Sequence, residues 1–280
     1  MARLLSPLLF VLTTTVLVAA CGSAPADSVA ESYQGRWNYD LPDAATMTNI
    51  ATMNIGEGLR GPQIGDIVFT SAGPHRIVGR TDVGCTWQFD ITGDGLALAS
   101  PGQTCYNPTA GYAYTMTEWA IHVSGVHETE SIKAISHHSD RDYEFDLAHG
   151  ARTRTTEDDP GSAKAFLGAW SYGLPDPATG VNTQLTAGAA PTPLTGSITI
   201  TGDYGSRVTA HTPDGCDWTL LTRGDTAKLD PPAQTCTVAN SAVTLTYWTI
   251  ATDGSHQISA AYGTTPDNTR FSANGDLHKR

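Results

Sequence analysis

Gly35-Arg36-Trp37-Asn38-Tyr39-Asp40-Leu41-Pro42-Asp43 returns later in the chain as Gly168-Ala169-Trp170-Ser171-Tyr172-Gly173-Leu174-Pro175-Asp176. Further anchors repeat in the same order. Gly84-Cys85-Thr86-Trp87 is matched by Gly215-Cys216-Asp217-Trp218, Pro101-Gly102-Gln103-Thr104-Cys105 by Pro232-Ala233-Gln234-Thr235-Cys236, and Trp119 by Trp248. All six tryptophans thus fall into three matched pairs. One fold is written twice, and 280 residues suit two modest domains.

The repeated segments alternate as strands do. In Thr115 to Val123, Trp119, Ile121 and Val123 share one face while Glu118, Ala120 and His122 share the other. Thr244 to Thr252 repeats the pattern. Cys85, Trp87 and Phe89 share a face, as do Cys216, Trp218 and Leu220, and turn signals such as Ser124-Gly125 and Asp253-Gly254 separate the runs. No stretch after residue 20 has a helical period. The expectation is an all-β chain with two tandem antiparallel up-and-down barrels, or sandwiches, of about eight strands each. Copy one is placed at 33–155, a linker at 156–165 and copy two at 166–280.

The first 20 residues read as a targeting segment. Arg3 is their only charge, Leu4 to Val18 is mainly apolar, and Val18-Ala19-Ala20-Cys21 follows. This resembles a bacterial lipoprotein signal, which implies that Cys21 becomes the acylated N-terminus and that the protein sits outside the cytoplasm on a membrane. Gly22 to Ser32 is small and polar, and 21–32 is expected to be a flexible tether. The net charge of −12 becomes one unit more negative without Arg3, which argues against nucleic acid and against a polybasic grip on anionic lipid. Export permits disulfides. The four cysteines left allow three connectivities. Cys85/Cys105 and Cys216/Cys236 have equal spacing, so the duplication favours one bridge per copy. Each could contribute about 3 kcal/mol by closing its loop.

Each copy opens with Gly-x-Trp (Gly35/Trp37, Gly168/Trp170) and ends with basic residues, Arg152-Thr153-Arg154 and His278-Lys279-Arg280. In this the chain resembles the calycin superfamily of lipocalins, fatty-acid-binding proteins, avidins and bacterial metalloprotease inhibitors. The resemblance implies a first-strand tryptophan at the closed end of each barrel with a last-strand arginine across it. The matching pairs are Trp37 with Arg154 and Trp170 with Arg280, with Arg152 and Lys279 as alternates. The segment from Arg141 to Gly150 resembles the closing segment of the metalloprotease inhibitors. Those act through a free N-terminal trunk, which an acylated Cys21 would not provide.

Pairing across a Ser124-Gly125 turn sets His122 opposite His127, Ile121 opposite Glu128 and Trp119 opposite Glu130. That register puts Glu128 and Glu130 on the face of Trp119, a half-polar lumen suited to a ligand, with Gln257 and Ser259 at the matching places beside Trp248. A turn longer by one residue sends both acids to solvent. Cross-strand imidazoles such as His122/His127 can share a metal, but only two ligands converge. That pair reads as structural or solvent-facing, His137/His138 reads as a solvated loop pair, and no metal or cofactor is expected. No nucleophile elbow, zinc-protease motif or phosphate loop is present, so an enzyme is not expected. The expected function is binding, either of a small apolar or amphipathic ligand or of an envelope protein, with protease inhibition as one form of the latter. Copy one, with longer loops and both acids, is the expected working copy.

Overall fold

The computed structural model describes residues 26–55, 58–93, 95–108, 110–156, 162–238 and 241–280. The signal at 1–20, Cys21 and the Pro160-Gly161 part of the linker lie outside the described residues. The first copy contains α1 (Ala26–Tyr33), β1 (Gly35–Tyr39), β2 (Ile50–Met53), β3 (Leu59–Pro62), β4 (Asp66–Ser71), β5 (Arg76–Thr81), β6 (Thr86–Thr92), β7 (Gly95–Leu98), β8 (Gln103–Asn107), β9 (Tyr112–Ser124), β10 (His127–His137) and β11 (Asp142–Thr155). The second contains α2 (Ala163–Phe166), β12 (Gly168–Tyr172), β13 (Thr183–Thr186), β14 (Thr192–Pro193), β15 (Ser197–Gly202), β16 (Arg207–His211), β17 (Asp217–Arg223), β18 (Thr226–Leu229), β19 (Gln234–Val238), β20 (Ser241–Thr252), β21 (His256–Thr264) and β22 (Arg270–Lys279).

Eight strands of each copy close into a barrel. The first runs β1-β4-β5-β6-β7-β9-β10-β11 and shuts where β11 pairs with β1. The second runs β12-β15-β16-β17-β18-β20-β21-β22 and shuts where β22 pairs with β12. Full closure leaves no free edge among these staves. The small β2–β3 and β13–β14 ribbons hang from the last strands, and β8 and β19 pair with β9 and β20. Disulfides join Cys85 to Cys105 and Cys216 to Cys236, one per barrel. Beside them the repeated glutamine does the same task twice. The Gln103 amide bonds both backbone groups of Gln88, and the Gln234 amide both backbone groups of Thr219.

Two expectations need correction. Residues 26–32 are not a free tether, because α1 docks against β4 and β5 with Ala30 and Tyr33 buried. Likewise the linker does not extend to 165, since α2 begins at Ala163 and buries Phe166. Both helices are too short to show a period in sequence, and both are held by tertiary packing. Their role is shared. The carbonyls of Tyr33 and Phe166, the last residues of the two helices, accept the indole N–H of Trp37 and Trp170, each at 2.7 Å.

The closed ends of the barrels are therefore plugs of helix, tryptophan and cation. Arg154 pairs with Trp37 across the seam and places its guanidinium 4.5 Å from the ring, while its Nη2 bonds the Ser32 carbonyl. Over Trp170 the cation is Lys279, at 5.1 Å, and not Arg280. Arg280 lies past the end of β22, and its side chain bonds the Ser171 hydroxyl instead. Gly35 and Gly168 are required here: φ is +114° and +122°, and the aliphatic stems of Arg154 and Lys279 lie against the positions of their missing side chains.

The barrels pack against each other, mouth to wall. Asp66 at the start of β4 binds Arg36 (2.7 Å) and Lys228 of the second barrel (2.8 Å). The Tyr247 hydroxyl donates to Asp82 (2.9 Å), and the Asn38 amide donates to the Arg223 carbonyl (2.9 Å). Beside these polar contacts Leu41 and Ile64 pack on Ala251, Ile258 and Ala260.

Candidate functional site

The two barrel interiors are the same site built twice. Tyr39 and Tyr172 descend from the Gly-x-Trp strand, Trp87 and Trp218 from β6 and β17, and Trp119 and Trp248 from β9 and β20. On the next strand come Glu128 and Glu130 in one barrel, and Gln257 and Ser259 in the other. The last strand adds Arg152 opposite Tyr39, and Leu277 opposite Tyr172. Strand alternation aims all of them inward.

The hairpin register differs from the sequence expectation. The turn is Gly125-Val126, so Ser124 pairs with His127, Val123 with Glu128 and Ile121 with Glu130. His122 faces Thr129, so the two histidines are not direct cross-strand partners. This slip is two residues, and the side-chain period of a strand is also two, so both acids stay on the face of Trp119. His137 instead bonds Asp142 and Thr115, and His138 stacks on Tyr112 at 4.2 Å.

In barrel one the acids close on themselves. Arg152 is buried, and its Nη1 reaches Glu128 Oε1 at 2.6 Å and Glu130 Oε2 at 2.8 Å. Its Nη2 donates to the Tyr39 hydroxyl at 2.6 Å, which in turn donates to Glu130 Oε1 at 2.5 Å. The Trp119 indole donates to Glu130 Oε2 at 2.7 Å, and the guanidinium lies 4.0 Å from the Tyr39 ring centre. Gly150 stands opposite Glu130, where any Cβ would overlap the glutamate's Cγ. One cation thus faces two carboxylates in a buried interior. Burial pushes the Glu128 carboxyl up to about 7; Arg152 pulls it down, and the Glu130 charge adds to the rise. Burial opposes the charge on Arg152, but Glu130, Tyr39 and Glu128 outweigh it and hold the guanidinium protonated.

The space left in this barrel is about 150 Å³, and Tyr247, Ala260 and Tyr262 of barrel two line it alongside Tyr39, Trp87, Trp119 and Arg152. Its mouth is occupied by a neighbour's wall. At the junction burial raises the Asp82 carboxyl above its usual range, although Lys228 draws it back.

Barrel two encloses about 280 Å³ between Trp218, Val243, Leu245, Trp248, Ala261 and Phe271, with Tyr172 and Ser259 at its base. The space is larger because Val243, Ala261 and Leu277 stand where barrel one has Tyr114, Ile132 and Arg152. Among the described residues no cation or carboxylate bridges its interior, although Asp214 lines the cavity and adds to the rise that burial gives the Tyr172 hydroxyl. The Tyr172 hydroxyl, the Trp248 indole and Ser259 make no hydrogen bond among the described residues, and the Trp218 indole donates to the Thr212 hydroxyl. The Gln257 amide nitrogen is buried without a partner, as are the Trp87 indole, Glu128 Oε2 and Arg152 Nε in barrel one. The rim residues Pro193, Thr195, Pro213 and Asp214 are exposed, so this mouth opens to solvent. Leu174, the counterpart of the interface residue Leu41, is 91% exposed.

Glu128, Glu130, Trp119 and Arg152 therefore come together as one cluster, whereas Trp248 belongs to a separate, open cavity. Sequence reasoning placed Arg152 only at the barrel seam and missed it as the partner of both acids. The signal available was its counterpart, Leu277, since the charge disappears in the copy that also lacks the acids.

No family model matches the chain, and no curated protein is similar to it. Among solved structures it is similar to a Bacteroides fragilis protein described as a "putative outer membrane protein", at 8% identity and a TM-score of 0.30 over 90% of this chain and 99% of that one. It is also similar to a Nostoc punctiforme protein of unknown function from the DUF3598 family, at 7% identity and a TM-score of 0.29 over 92% and 100%.

Proposed function

We propose that this is an exported, lipid-anchored binding protein whose second barrel holds a small, mainly apolar molecule bearing a hydrogen-bonding group. The first barrel is the platform that fixes its wall. One observation carries this reading. At corresponding positions barrel one joins Tyr39, Trp119 and Glu130 to Arg152 in one hydrogen-bonded cluster, whereas Tyr172, Trp248 and Ser259 of barrel two form no such cluster and line an open cavity of about 280 Å³. Buried polar groups find partners in native proteins, and an apolar chamber with a few such groups is the usual form of a small-molecule site. The working copy is then the second, the reverse of the expectation from loop length and acids.

Titration of the purified protein with 1-octanol and octanal, followed by tryptophan fluorescence, tests it. Saturable binding that disappears in Ala261→Trp, which fills the cavity, and persists in Glu128→Gln supports the assignment. No saturable response, or one that Ala261→Trp leaves intact, sinks it. The anchor is tested separately by metabolic labelling with an alkyne fatty acid: label should be lost in Cys21→Ser.

The exposed Leu174 favours a second reading, in which the mouth of barrel two docks another protein as the mouth of barrel one docks a β-wall. Under that reading Leu174→Asp abolishes capture of a single partner, while the octanol titration stays flat.

A further inference from the structure

We infer that His256, Asp276 and His278 on the outer wall of barrel two form a binding site for one divalent transition-metal ion of the zinc class. His256 and His278 are direct cross-strand partners on β21 and β22, and Asp276 lies two residues before His278 on the same strand. Alternation puts Gln257 and Leu277 inside the barrel, so these three side chains share its outer face. The Asp276 Oδ1 sits 2.8 Å from His256 Nε2 and 3.5 Å from His278 Nε2. The imidazoles stack with centroids 4.6 Å apart and planes within 10°. All three ligand atoms lie within 4.8 Å of one another, a grouping found only here among the described residues. Bonds of about 2.0–2.2 Å to a shared ion bring ligand atoms to roughly 3–4 Å, within reach of small side-chain rotations.

Two imidazoles and one carboxylate suit zinc and its neighbours, and hard cations such as magnesium prefer all-oxygen shells. The chain also supplies supporting contacts. The Asn182 side-chain oxygen accepts the Asp276 backbone N–H at 2.7 Å, and Asp253 accepts the His256 backbone N–H at 2.7 Å, which brings a second negative charge near the site. His256 and Asp276 also line a cleft of about 450 Å³ between the barrels, walled by Leu41, Pro42, Ile50 and Ile258. Barrel one offers no equivalent. At matching positions it has His127, Ala151 and Thr153, so the site belongs to the second copy alone.

The test is calorimetric titration of the purified full-length protein with Zn²⁺, together with Co²⁺ absorption in the visible as a report on ligand geometry. One ion per chain is expected. Binding should weaken at least about tenfold in His278→Ala and in His256→Gln, with loss of the Co²⁺ bands. His211→Ala, which removes the histidine of a surface His–Asp pair on the same barrel, should leave it unchanged. His278 is 64% exposed, so its removal spares the fold, and equal circular dichroism of variant and parent verifies this. Wild-type affinity no better than that of His278→Ala, or Co²⁺ bands that survive both variants, overturns the site and leaves the three residues as a hydrogen-bonded surface ion pair.

Discussion

Barrel one and barrel two share a fold, a disulfide, a plugged end and three tryptophans, yet their interiors and walls are opposite in character. In barrel one the lumen is bridged by Arg152, Glu128, Glu130 and Tyr39, and the outer wall of β9 and β10 is polar, with Lys133 and Glu118 paired at 2.9 Å in solvent. In barrel two the lumen has no such bridge, and the same wall positions carry Tyr247, Ala251, Ile258, Ala260 and Tyr262. The apolar wall of the second barrel covers the mouth of the first. This is a head-to-side contact, and contacts of that kind can propagate without closing. Barrel one turns no such wall toward the mouth of barrel two, which no described residue of barrel one covers. Duplication supplied two sockets, and divergence of one wall decided which socket stayed open.

The contrast breaks most sharply at Arg152. Replacing it with Leu, the residue of barrel two, strands two acids in the interior and should cost about 3–5 kcal/mol of stability in urea unfolding. Transplanting the whole set, Arg152→Leu with Glu128→Gln and Glu130→Ser, should recover most of that loss. A triple variant as unstable as the single one would show that the cluster is not what distinguishes the barrels.

The next effect is one of pH. The folded Glu128 carboxyl titrates at about 7, above its ordinary 4.5, so between these values the folded protein keeps a proton that the unfolded chain has released. Stability from this group is complete below the ordinary value and is lost as pH rises through the folded one. The decline is on the order of 3 kcal/mol between pH 4.5 and 8. Glu128→Gln should flatten that slope and stabilise the protein at pH 8. A parent protein whose unfolding midpoint is equal at pH 5 and pH 8 would contradict the raised Glu128 titration.

At the junction, Tyr247→Phe removes the hydroxyl that serves Asp82 and should cost about 1–2 kcal/mol. Small-angle scattering of this variant should still report packed barrels, because the apolar wall remains. The smallest effect is at the closed ends. Arg154→Ala and Lys279→Ala should each cost about 0.5–1 kcal/mol through loss of the cation over tryptophan. Their thermal shifts should be similar if the two plugs are equivalent. A much larger loss at Arg154 would trace to its added bond to the Ser32 carbonyl.

The tryptophan at each closed end is implied by a family resemblance, whereas the sequence by itself determined the duplication, the β class and one bridge per copy. These rest on local spacing: period-two alternation tells which side of a strand is buried, and matched intervals show what repeats. It also kept Glu128 and Glu130 on the inner face despite a wrong turn, because a slip of two residues preserves parity. Alternation does not say what does the burying. Arg152 meets Glu128 across 24 residues and Tyr39 across 113, and Lys228 meets Asp66 across 162. Only closure of the first barrel neutralised its acids, and only packing of the second against it turned Tyr247 and Ala260 from an exposed wall into a lid. Those outcomes depend on which surfaces meet, a property of the assembled barrels and of no single strand.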